Sequence, residues 1–305
     1  MSLARGQFRL VGAGAGANVV NMKLRVEQTR VPVLTWHGYN LFGNTYETND
    51  LVAFAEDLRT VDGAGFAVIP LVEVARWVGG ERADFSQYGR PVVALSCDDG
   101  TDYDWRDLKH PVHGAQTSFA SSLRAFQAQL PGAQPSLTMT CFVIASPNAR
   151  AQIDRGAMDA QGALNDHWWQ AANDSGVMTI ESHGWDHNHP TVSPVVQREQ
   201  RSGDFFAIET LAECDMQVRA ASQFIASRSG RRPPLFAYPW TQASDYMRCQ
   251  YMPQRAGEHG VIAAFGGHSD YITRQSDRWH LPRFVFGPDW KSKAGLQAIL
   301  RGALG

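Results

Sequence analysis

The chain has 305 residues, of which 44% are hydrophobic and 19% charged, and its formal net charge is −2. This apolar fraction is enough for a sizeable core, so a disordered or fibrous protein is excluded. The near-zero net charge gives no general attraction to nucleic acid or to an anionic membrane surface, and neither is expected as a partner.

Targeting signals and cysteines give little information about the function. No stretch approaches the roughly 20 apolar residues that a membrane span needs. The N-terminus shows no charged region followed by an apolar run, so a cytoplasmic location is the default expectation. A periplasmic or secreted location is the alternative if the N-terminus has been trimmed. The four cysteines form no C-x-x-C pair, and Cys97 and Cys141 are expected to be small buried thiols.

Short β-rich runs alternate with longer helical patterns along most of the chain. The strand-like runs cover residues 31–36, 66–69, 91–96, 137–144, 177–181, 235–238, 261–265 and 281–286. Helical patterns lie near 50–61, 71–78, 118–129, 164–173 and 205–227, and another follows Ser244. Repeated alternation of strand and helix indicates a parallel sheet, and seven or eight such units suit a closed barrel better than an open sheet.

The first part of the chain does not fit this alternation. Residues 1–28 are expected to form an N-terminal extension, with residues 29–305 as a single barrel domain. Within the extension, Gly12 to Ala17 fits the loose G-x-G-x-x-A dinucleotide pattern. The chain soon reaches Pro32, which leaves little room for the helix that this pattern needs, so a flexible tail is the preferred interpretation.

The strongest local signal is a buried strand that runs straight into two adjacent carboxylates. Cys97, Asp98, Asp99 and Gly100 directly follow the run at 91–96. Two neighbouring acids at the end of a strand repel each other and are poorly solvated, so a cation or a catalytic need would justify them. Gly100 permits a tight turn that could aim both side chains into one cavity. The alternative is a simple turn capped by Asp.

The second signal follows the run at 177–181. His183 and His187 are four residues apart, so one helical turn would place both imidazoles on the same face. One carboxylate and two neutral imidazoles would suit zinc or a similar ion, with coordination positions left open for water or substrate. His189 is a third candidate ligand, and three histidines on a solvated loop is the alternative.

These signals occupy equivalent positions in the predicted barrel. His37 directly follows the run at 33–36, and Pro239 and Trp240 follow the run that ends at 238. In a β/α barrel the active site is built at the carboxyl ends of the strands. Four chemically unusual segments at such positions favour a catalytic metal site.

These segments resemble motifs of the polysaccharide deacetylases with a NodB-homology domain, carbohydrate esterase family 4. That family's first motif is T-F-D-D-G, and residues 96–100 read S-C-D-D-G. Its second motif is H-[ST]-x-x-H, and residues 183–187 read H-G-W-D-H. Its third motif is R-x-P-[YF], and residues 237–240 read A-Y-P-W. The resemblance spans roughly residues 32–290, and the two metal motifs carry most of its specificity.

The order of the motifs is also informative. Residues 34–37 read L-T-W-H, which looks like a loose form of the family's last motif, L-x-H-D, placed ahead of the acidic motif. That order is similar to the circularly permuted, biofilm-type poly-N-acetylglucosamine deacetylases, in which the third motif also lacks its Arg. The resemblance implies a distorted (β/α) barrel of about seven parallel strands. It also implies one divalent metal ion, with zinc expected first and cobalt, nickel or iron as alternatives.

The resemblance implies a role for each matched residue. Asp98 would be the general base, and Asp99 would be the carboxylate ligand of the metal. His183 and His187 would be the imidazole ligands. His37 would be the general acid that protonates the leaving amine.

Two departures from the family's motifs leave roles open. Ala237 stands where the third motif has Arg, so the group that orients Asp98 is undetermined, and Arg283 is one candidate. Gly38 replaces the Asp that usually follows the motif His, so the support for His37 is undetermined as well. The rival general acids are His268 and His280, which lie on or after late strands.

Aromatic side chains crowd the same strand ends, where their faces could stack on sugar rings. The alternative is that they only fill the barrel mouth. Four of them are expected to bind substrate: Trp36, Trp185, Tyr238 and Trp240. By analogy with the family, the backbone N–H of Trp240 would also stabilise an oxyanion.

The expected function is metal-dependent hydrolysis of the C–N bond of an N-acetyl group on an amino sugar or a related amide. The expected partner is therefore an N-acetylated carbohydrate or a small amide. The alternatives are a catalytically inactive carbohydrate-binding protein on the same fold and a metal-dependent hydrolase of a non-sugar amide. A metal-dependent hydrolase of a phosphoester is a weaker alternative. Both acids and both histidines are present, which disfavours an inactive protein.

Overall fold

The structure is a computed structural model that describes residues 29–192 and 203–305. The expected extension at residues 1–28, with its glycine-rich pattern, lies outside the described residues. Within the described ranges, no helix is both long and apolar enough to cross a lipid bilayer.

The described residues contain eleven β-strands, most of them short. They are β1 (Val33–His37), β2 (Ala67–Val68), β3 (Val92–Asp98), β4 (Leu108–His110), β5 (Gly114–Gln116), β6 (Met139–Val143), β7 (Met178–Ser182), β8 (Leu235–Ala237), β9 (Ala263–Gly267), β10 (Leu281–Pro282) and β11 (Phe284–Val285). Only β4 and β5 pair antiparallel, as a separate hairpin.

Eight strands form a nearly closed parallel barrel in the order β10-β9-β8-β7-β6-β3-β1-β11, and β2 pairs with β3 beside this row. β10 pairs with β9, and β11 pairs with β1. Because only Arg283 separates β10 from β11, the two ends of the row are one stretch of chain. The predicted distorted barrel is confirmed, and β10 and β11 counted as one interrupted strand give the predicted seven.

Helices surround this barrel. The longer ones are Asp50–Gly63, Leu71–Val78, Phe119–Gln129, Pro147–Ala157, Trp169–Ser175, Ala221–Ser229 and Lys293–Gly302. Short α-helical turns cover Asp102–Trp105, Leu211–Cys214, Met252–Gln254 and Ala256–His259, and π-helical turns cover Asp215–Ala220 and Met247–Tyr251. Isolated 3₁₀ turns lie at Tyr46–Thr48, Ser86–Tyr88, Phe205–Ala207 and Pro239–Thr241.

Local capping explains where the helices differ from the predicted ones. The pattern at 205–227 predicts one helix, but the α-helix begins at Leu211 because Thr210 and Glu213 form a capping box there. The helix Pro147–Ala157 was not predicted. It begins with the side chain of Ser146 accepting the N–H of Ala149 and with a proline at its first position.

The sheet is buried on both faces, as expected of a parallel sheet covered by helices. Alternate residues of β3 belong to two different buried clusters: Val93, Leu95 and Cys97 to one, and Val92 and Ala94 to the other. The register of β1 on β3 pairs His37 with Asp98. Both residues therefore end their strands at the same edge of the barrel.

Candidate active site

The acidic pair lies at the end of a strand whose seven residues are all buried. Asp98 ends β3, and Asp99 and Gly100 then turn the chain with φ angles of 76° and 75°. A Cβ on Gly100 would lie 2.6 Å from a side-chain methyl carbon of Val143. The turn therefore requires glycine for both its backbone angle and its packing.

Arg283 holds Asp98 in place. Its Nη1 and Nη2 donate to Oδ1 and Oδ2 of Asp98 at 2.7 and 2.8 Å, and both side chains are buried. Burial alone would raise the pKa of Asp98, but the Arg283 guanidinium and the nearby His183 imidazole hold it well below its ordinary range. Arg283 lies between β10 and β11, and the structure confirms this candidate as the group that orients Asp98. Asp98 is therefore an ionised, fixed carboxylate.

His183 is oriented by the next strand of the barrel. It follows β7 directly, and its Nδ1 is 2.9 Å from the backbone carbonyl oxygen of Ala237 at the end of β8. A carbonyl only accepts, so Nδ1 carries the proton and donates it. The other ring nitrogen, Nε2, lies 3.7 Å from Oδ1 of Asp99.

His187 completes a group of three donors with Asp99 and His183. Its Nε2 lies 3.5 Å from Oδ1 of Asp99, and the two imidazole centroids are 4.8 Å apart. The expected helical turn between the histidines is wrong. A loop connects them instead, with positive φ at Gly184 (86°) and at His187 (63°). Burial and the neighbouring His183 lower the pKa of His187, so its ring is neutral.

These three side chains fit a divalent cation. Asp99, His183 and His187 each offer one ligand atom, and the three atoms lie within 4.8 Å of one another. One carboxylate and two neutral imidazoles suit zinc and similar ions and leave further coordination positions free. His189 is not part of this group. Its Nδ1 lies 2.9 Å from Oγ1 of Thr191.

A second group of possible ligands, Cys97, Asp104 and Cys141, is buried beside the barrel. Burial raises the pKa of Cys141 to about 12 and that of Cys97 well above its ordinary value. Both thiols therefore stay protonated at neutral pH. The chemistry of these donors favours the Asp99 group as the cation site.

His37 lies on the other side of Asp98 from the group formed by Asp99, His183 and His187. Its Nε2 is 4.0 Å from Oδ2 of Asp98, and its backbone N–H donates to Oδ2 of Asp50 at 2.8 Å. Burial raises the pKa of Asp50 to about 6, although the nearby His37 opposes that shift. Asp50 therefore holds the backbone of His37, whereas Nδ1 of the His37 ring has no hydrogen-bond partner among the described residues. The sequence position of Asp50 at the start of a helix gave no signal of this contact.

Backbone strain is concentrated at this site. Asp99, His187 and Trp240 have φ angles of 76°, 63° and 60°, in the left-handed region that non-glycine residues avoid. Such conformations cost of order 1–3 kcal/mol each and persist where the surrounding structure enforces them. All three residues line the same cavity. This concentration supports a functional role for the cavity.

The cavity has a volume of about 550 Å³ and opens at the carboxyl ends of the strands. The structure brings together in its lining all five residues predicted to catalyse or to bind metal: His37, Asp98, Asp99, His183 and His187. One wall is apolar and includes Ile144, Ile153, Met158 and Leu164.

The four aromatic residues expected to bind substrate differ in position. Trp240 lines the cavity and is 43% exposed. Trp36 and Tyr238 are buried in the core, so the expectation that they stack on a sugar is corrected. Trp36 packs on Phe54 with ring centroids 5.1 Å apart, and the hydroxyl of Tyr238 donates to a backbone carbonyl. Trp185 is partly buried against the core and outside the lining.

The two rival acids are also separated by the structure. His268 lines the cavity, whereas His280 packs on the ring of Tyr238 at a centroid distance of 6.0 Å and does not line it. Of the three histidines, His37 is the one with a nitrogen 4.0 Å from the Asp98 carboxylate. The geometry therefore favours His37 as the acid.

No family model and no curated protein matches the sequence. Solved structures match it over most of its length. The Streptococcus pyogenes deacetylase PplD in complex with acetate has a TM-score of 0.60 at 13% identity, over 89% of this chain and 98% of that chain. IcaB from Ammonifex degensii has a TM-score of 0.59 at 13% identity, over 91% and 98%.

The deacetylase domain of BpsB from Bordetella bronchiseptica has a TM-score of 0.54 at 12% identity, over 85% of this chain and 96% of that chain. Identity this low supports a conclusion about the fold alone. The chain therefore has the fold of these deacetylases.

Proposed function

We propose that this protein is a metal-dependent hydrolase that removes N-acetyl groups from amino sugars. One observation carries the proposal. The Asp98 carboxylate, the three possible ligands of a cation and the His37 imidazole line one cavity at the carboxyl end of the barrel. The fold shared with solved deacetylases supports the same reaction class.

Asp99, His183 and His187 would hold the cation, for which zinc is the first candidate and cobalt, nickel or iron are alternatives. When bound, such an ion supplies Lewis-acid polarisation of a carbonyl group. The proton that His183 donates to the Ala237 carbonyl fixes the ring so that Nε2 faces Asp99. The orientation of this ligand is thus set before any ion binds.

Asp98 would accept the proton of the attacking water. Its contact with Arg283 keeps the carboxylate ionised at neutral pH, so it can take up a proton, although the lowered pKa makes it a weaker base. His37 would donate a proton to the departing amine from across Asp98. The backbone N–H of Trp240, whose residue lines the cavity, would stabilise the oxyanion.

The apolar wall of the cavity favours a second candidate substrate class, small non-sugar amides. Ile153, Met158 and Leu164 would contact an apolar group next to the scissile bond. A substrate panel that contains both N-acetylated sugars and small acetamides separates the two classes by their relative kcat/KM.

Five single variants test the proposal. Asp99→Ala and His183→Ala should lose bound metal and acetate release together. Asp98→Asn should keep the metal and lose turnover by roughly 10²- to 10⁴-fold, the usual contribution of a general base. His37→Ala should lose turnover to a similar degree, whereas His280→Ala, outside the cavity, serves as the matched control. Metal analysis and acetate release are the readouts, and full activity of the metal-stripped protein would contradict the proposal.

A further inference from the structure

The side chain of Tyr39 lies in the cavity and joins two segments of the chain. Tyr39 lines the cavity two residues after His37, so their Cα atoms are at most about 7 Å apart. Its hydroxyl oxygen lies 2.8 Å from Nε2 of Gln161, on the segment after the helix Pro147–Ala157. The side chain therefore extends from the loop that follows β1 to the segment that follows this helix.

Gln161 holds the Tyr39 hydroxyl next to the apolar wall of the cavity. The backbone N–H of Gln161 donates to the carbonyl oxygen of Met158 at 3.3 Å, and Met158 and Leu164 both belong to that wall. The hydroxyl of Tyr39 is therefore a polar group placed at the edge of an apolar surface.

A second tyrosine determines the orientation of the Gln161 amide. The hydroxyl of Tyr103 donates to Oε1 of Gln161 at 2.7 Å, and Tyr103 is buried. An amide oxygen only accepts and an amide nitrogen only donates, so Nε2 of Gln161 donates to the hydroxyl oxygen of Tyr39. The proton of the Tyr39 hydroxyl therefore points away from Gln161.

That proton has no acceptor in the part of the chain that the structure describes, where Gln161 is the hydrogen-bond partner of the Tyr39 hydroxyl. Burial and the nearby Asp159 raise the pKa of Tyr39 to about 12, so the hydroxyl keeps its proton at neutral pH. Tyr39 thus presents an unused O–H donor in the lining of the cavity.

We propose that Tyr39 binds the substrate by donating a hydrogen bond to an oxygen on the carbon next to the one that carries the scissile amide. In an N-acetylated amino sugar, the carbons on both sides of the amide-bearing carbon carry oxygen, whereas an alkyl amide has no oxygen there. A polar group left without a partner in the complex weakens binding, so Tyr39 favours the sugar over an alkyl amide of the same size. The inference rests on the proposed function and adds a residue that selects between its two candidate substrate classes.

The first test removes the donor from the metal-loaded full chain. The substrates are N-acetylglucosamine, as the free sugar and as a pentamer, and N-cyclohexylacetamide, whose ring has the same size and no oxygen. In Tyr39→Phe, kcat/KM for acetate release from the sugars should fall roughly three- to tenfold, the usual effect of one hydrogen bond. The value for N-cyclohexylacetamide should not fall. Tyr88→Phe removes a hydroxyl that donates to Glu73 outside the cavity, and as the matched control it should keep all wild-type values.

The second test keeps Tyr39 and reverses its hydrogen bond. In Gln161→Glu at pH 8, the carboxylate accepts from both tyrosines, so the proton of Tyr39 turns away from the substrate. We expect kcat/KM for the sugars to fall as far as in Tyr39→Phe, and the double variant should lose no more. Gln161→Met has a similar size and leaves the Tyr39 proton free, so it should lose less than Gln161→Glu. A purely structural role of Gln161 would give the two variants an equal loss.

The inference is overturned if Tyr39→Phe keeps its kcat/KM for the sugars or loses as much with N-cyclohexylacetamide. It is also overturned if Gln161→Glu loses no more than Gln161→Met. A wild type that releases acetate from neither sugar contradicts the proposed function as well. Unchanged turnover of the sugars in Tyr39→Phe overturns this inference alone, so the two failures are distinguishable.

Discussion

The contact between Arg283 and Asp98 determines how a carboxylate can be accommodated at the buried end of β3. Asp98 is 4% exposed and would be costly there without a partner. The Arg283 guanidinium supplies a compensating positive charge and, through its two hydrogen bonds, fixes the direction of the carboxylate. The same pair therefore fixes an ionised carboxylate at the buried end of the strand.

We expect Arg283→Met to destabilise the protein by about 3–5 kcal/mol, the usual cost of leaving one member of a buried ion pair unpaired. Because the cost arises from the uncompensated charge, the double variant Arg283→Met with Asp98→Asn should recover much of it. Urea unfolding of the wild type, both single variants and the double variant measures this. Equal destabilisation of the double variant and of Arg283→Met would show that the charge is not the cause.

At this scale the sequence predicted local features directly and offered Arg283 only as one candidate partner of Asp98. Asp98 ends β3, Asp99 follows it and His183 follows β7, so a local pattern indicated them. The spacing of four residues from His183 indicated His187. The contact of Arg283 with Asp98 joins residues 185 positions apart, and no local pattern encodes it. Trp36 was misassigned because neighbouring residues of a strand point to opposite faces, so Trp36 faces the core where His37 faces the cavity.

At the scale of the elements, the turn after β3 sets the direction of the acidic pair. Gly100 has a positive φ and packs against Val143, so it is constrained twice. Gly132, which follows the helix Phe119–Gln129, also has a positive φ of 79°, but a Cβ there would meet nothing within 4 Å. A comparison of alanine substitutions at the two glycines therefore separates the cost of the left-handed backbone from the cost of steric overlap.

We expect Gly132→Ala to cost about 1–2 kcal/mol, from the left-handed backbone alone. Gly100→Ala should cost about 1–3 kcal/mol more, because overpacking is added to the same strain. Thermal and urea unfolding of both variants measure the difference. If Gly100→Ala and Gly132→Ala lower the free energy of unfolding equally, the turn after β3 relaxes without overpacking. The shape of the cavity would then not depend on that turn.

The helix Asp50–Gly63 is tied to its surroundings by a buried acid. Asp57 accepts hydrogen bonds from the hydroxyl of Tyr46, before the helix, and from Nε1 of Trp290, near the last helix. Burial raises the pKa of Asp57 from 3.8 to about 6, although both hydrogen bonds oppose the shift. The folded state thus binds more protons than the unfolded state between these two values.

Asp57 therefore contributes stability that is fully present below pH 3.8 and is lost as the pH rises through about 6. We expect the free energy of unfolding of Asp57→Asn, relative to the wild type, to increase over this window by up to about 1.4 kcal/mol per pH unit. Denaturant unfolding at several pH values between 4 and 7 measures this difference. A difference that is constant with pH would show that Asp57 keeps an ordinary pKa.

For the whole molecule, alternation of strand and helix was enough to predict the barrel, because each β/α unit has a local signature. The split of the last strand around Arg283 was not predicted, although Pro282 and Arg283 interrupt the apolar run at 281–286. The π-helical turns at Asp215–Ala220 and Met247–Tyr251 also have no signature in the apolar periodicity. They depend on packing between distant segments.

Metal binding should stabilise the whole barrel, because the three donors come from the ends of two strands, β3 and β7. We expect zinc at one hundred times its Kd to raise the free energy of unfolding of the wild type by about 2.7 kcal/mol. The melting temperature should rise with zinc and fall again with a chelator. His183→Ala should show no such rise, and an identical rise in that variant would place the stabilising ion elsewhere.

The split last strand also has a consequence for synthesis. Asp98 leaves the ribosome 185 residues before Arg283, an interval of roughly 10–40 s at ordinary rates of elongation. During that interval the Asp98 carboxylate has no Arg283 guanidinium beside it, and the outer edge of β1 has no β11 to pair with. An unpaired edge is a template for wrong pairing. Slower translation between these two residues should therefore lower the yield of soluble protein more than the same delay after β11.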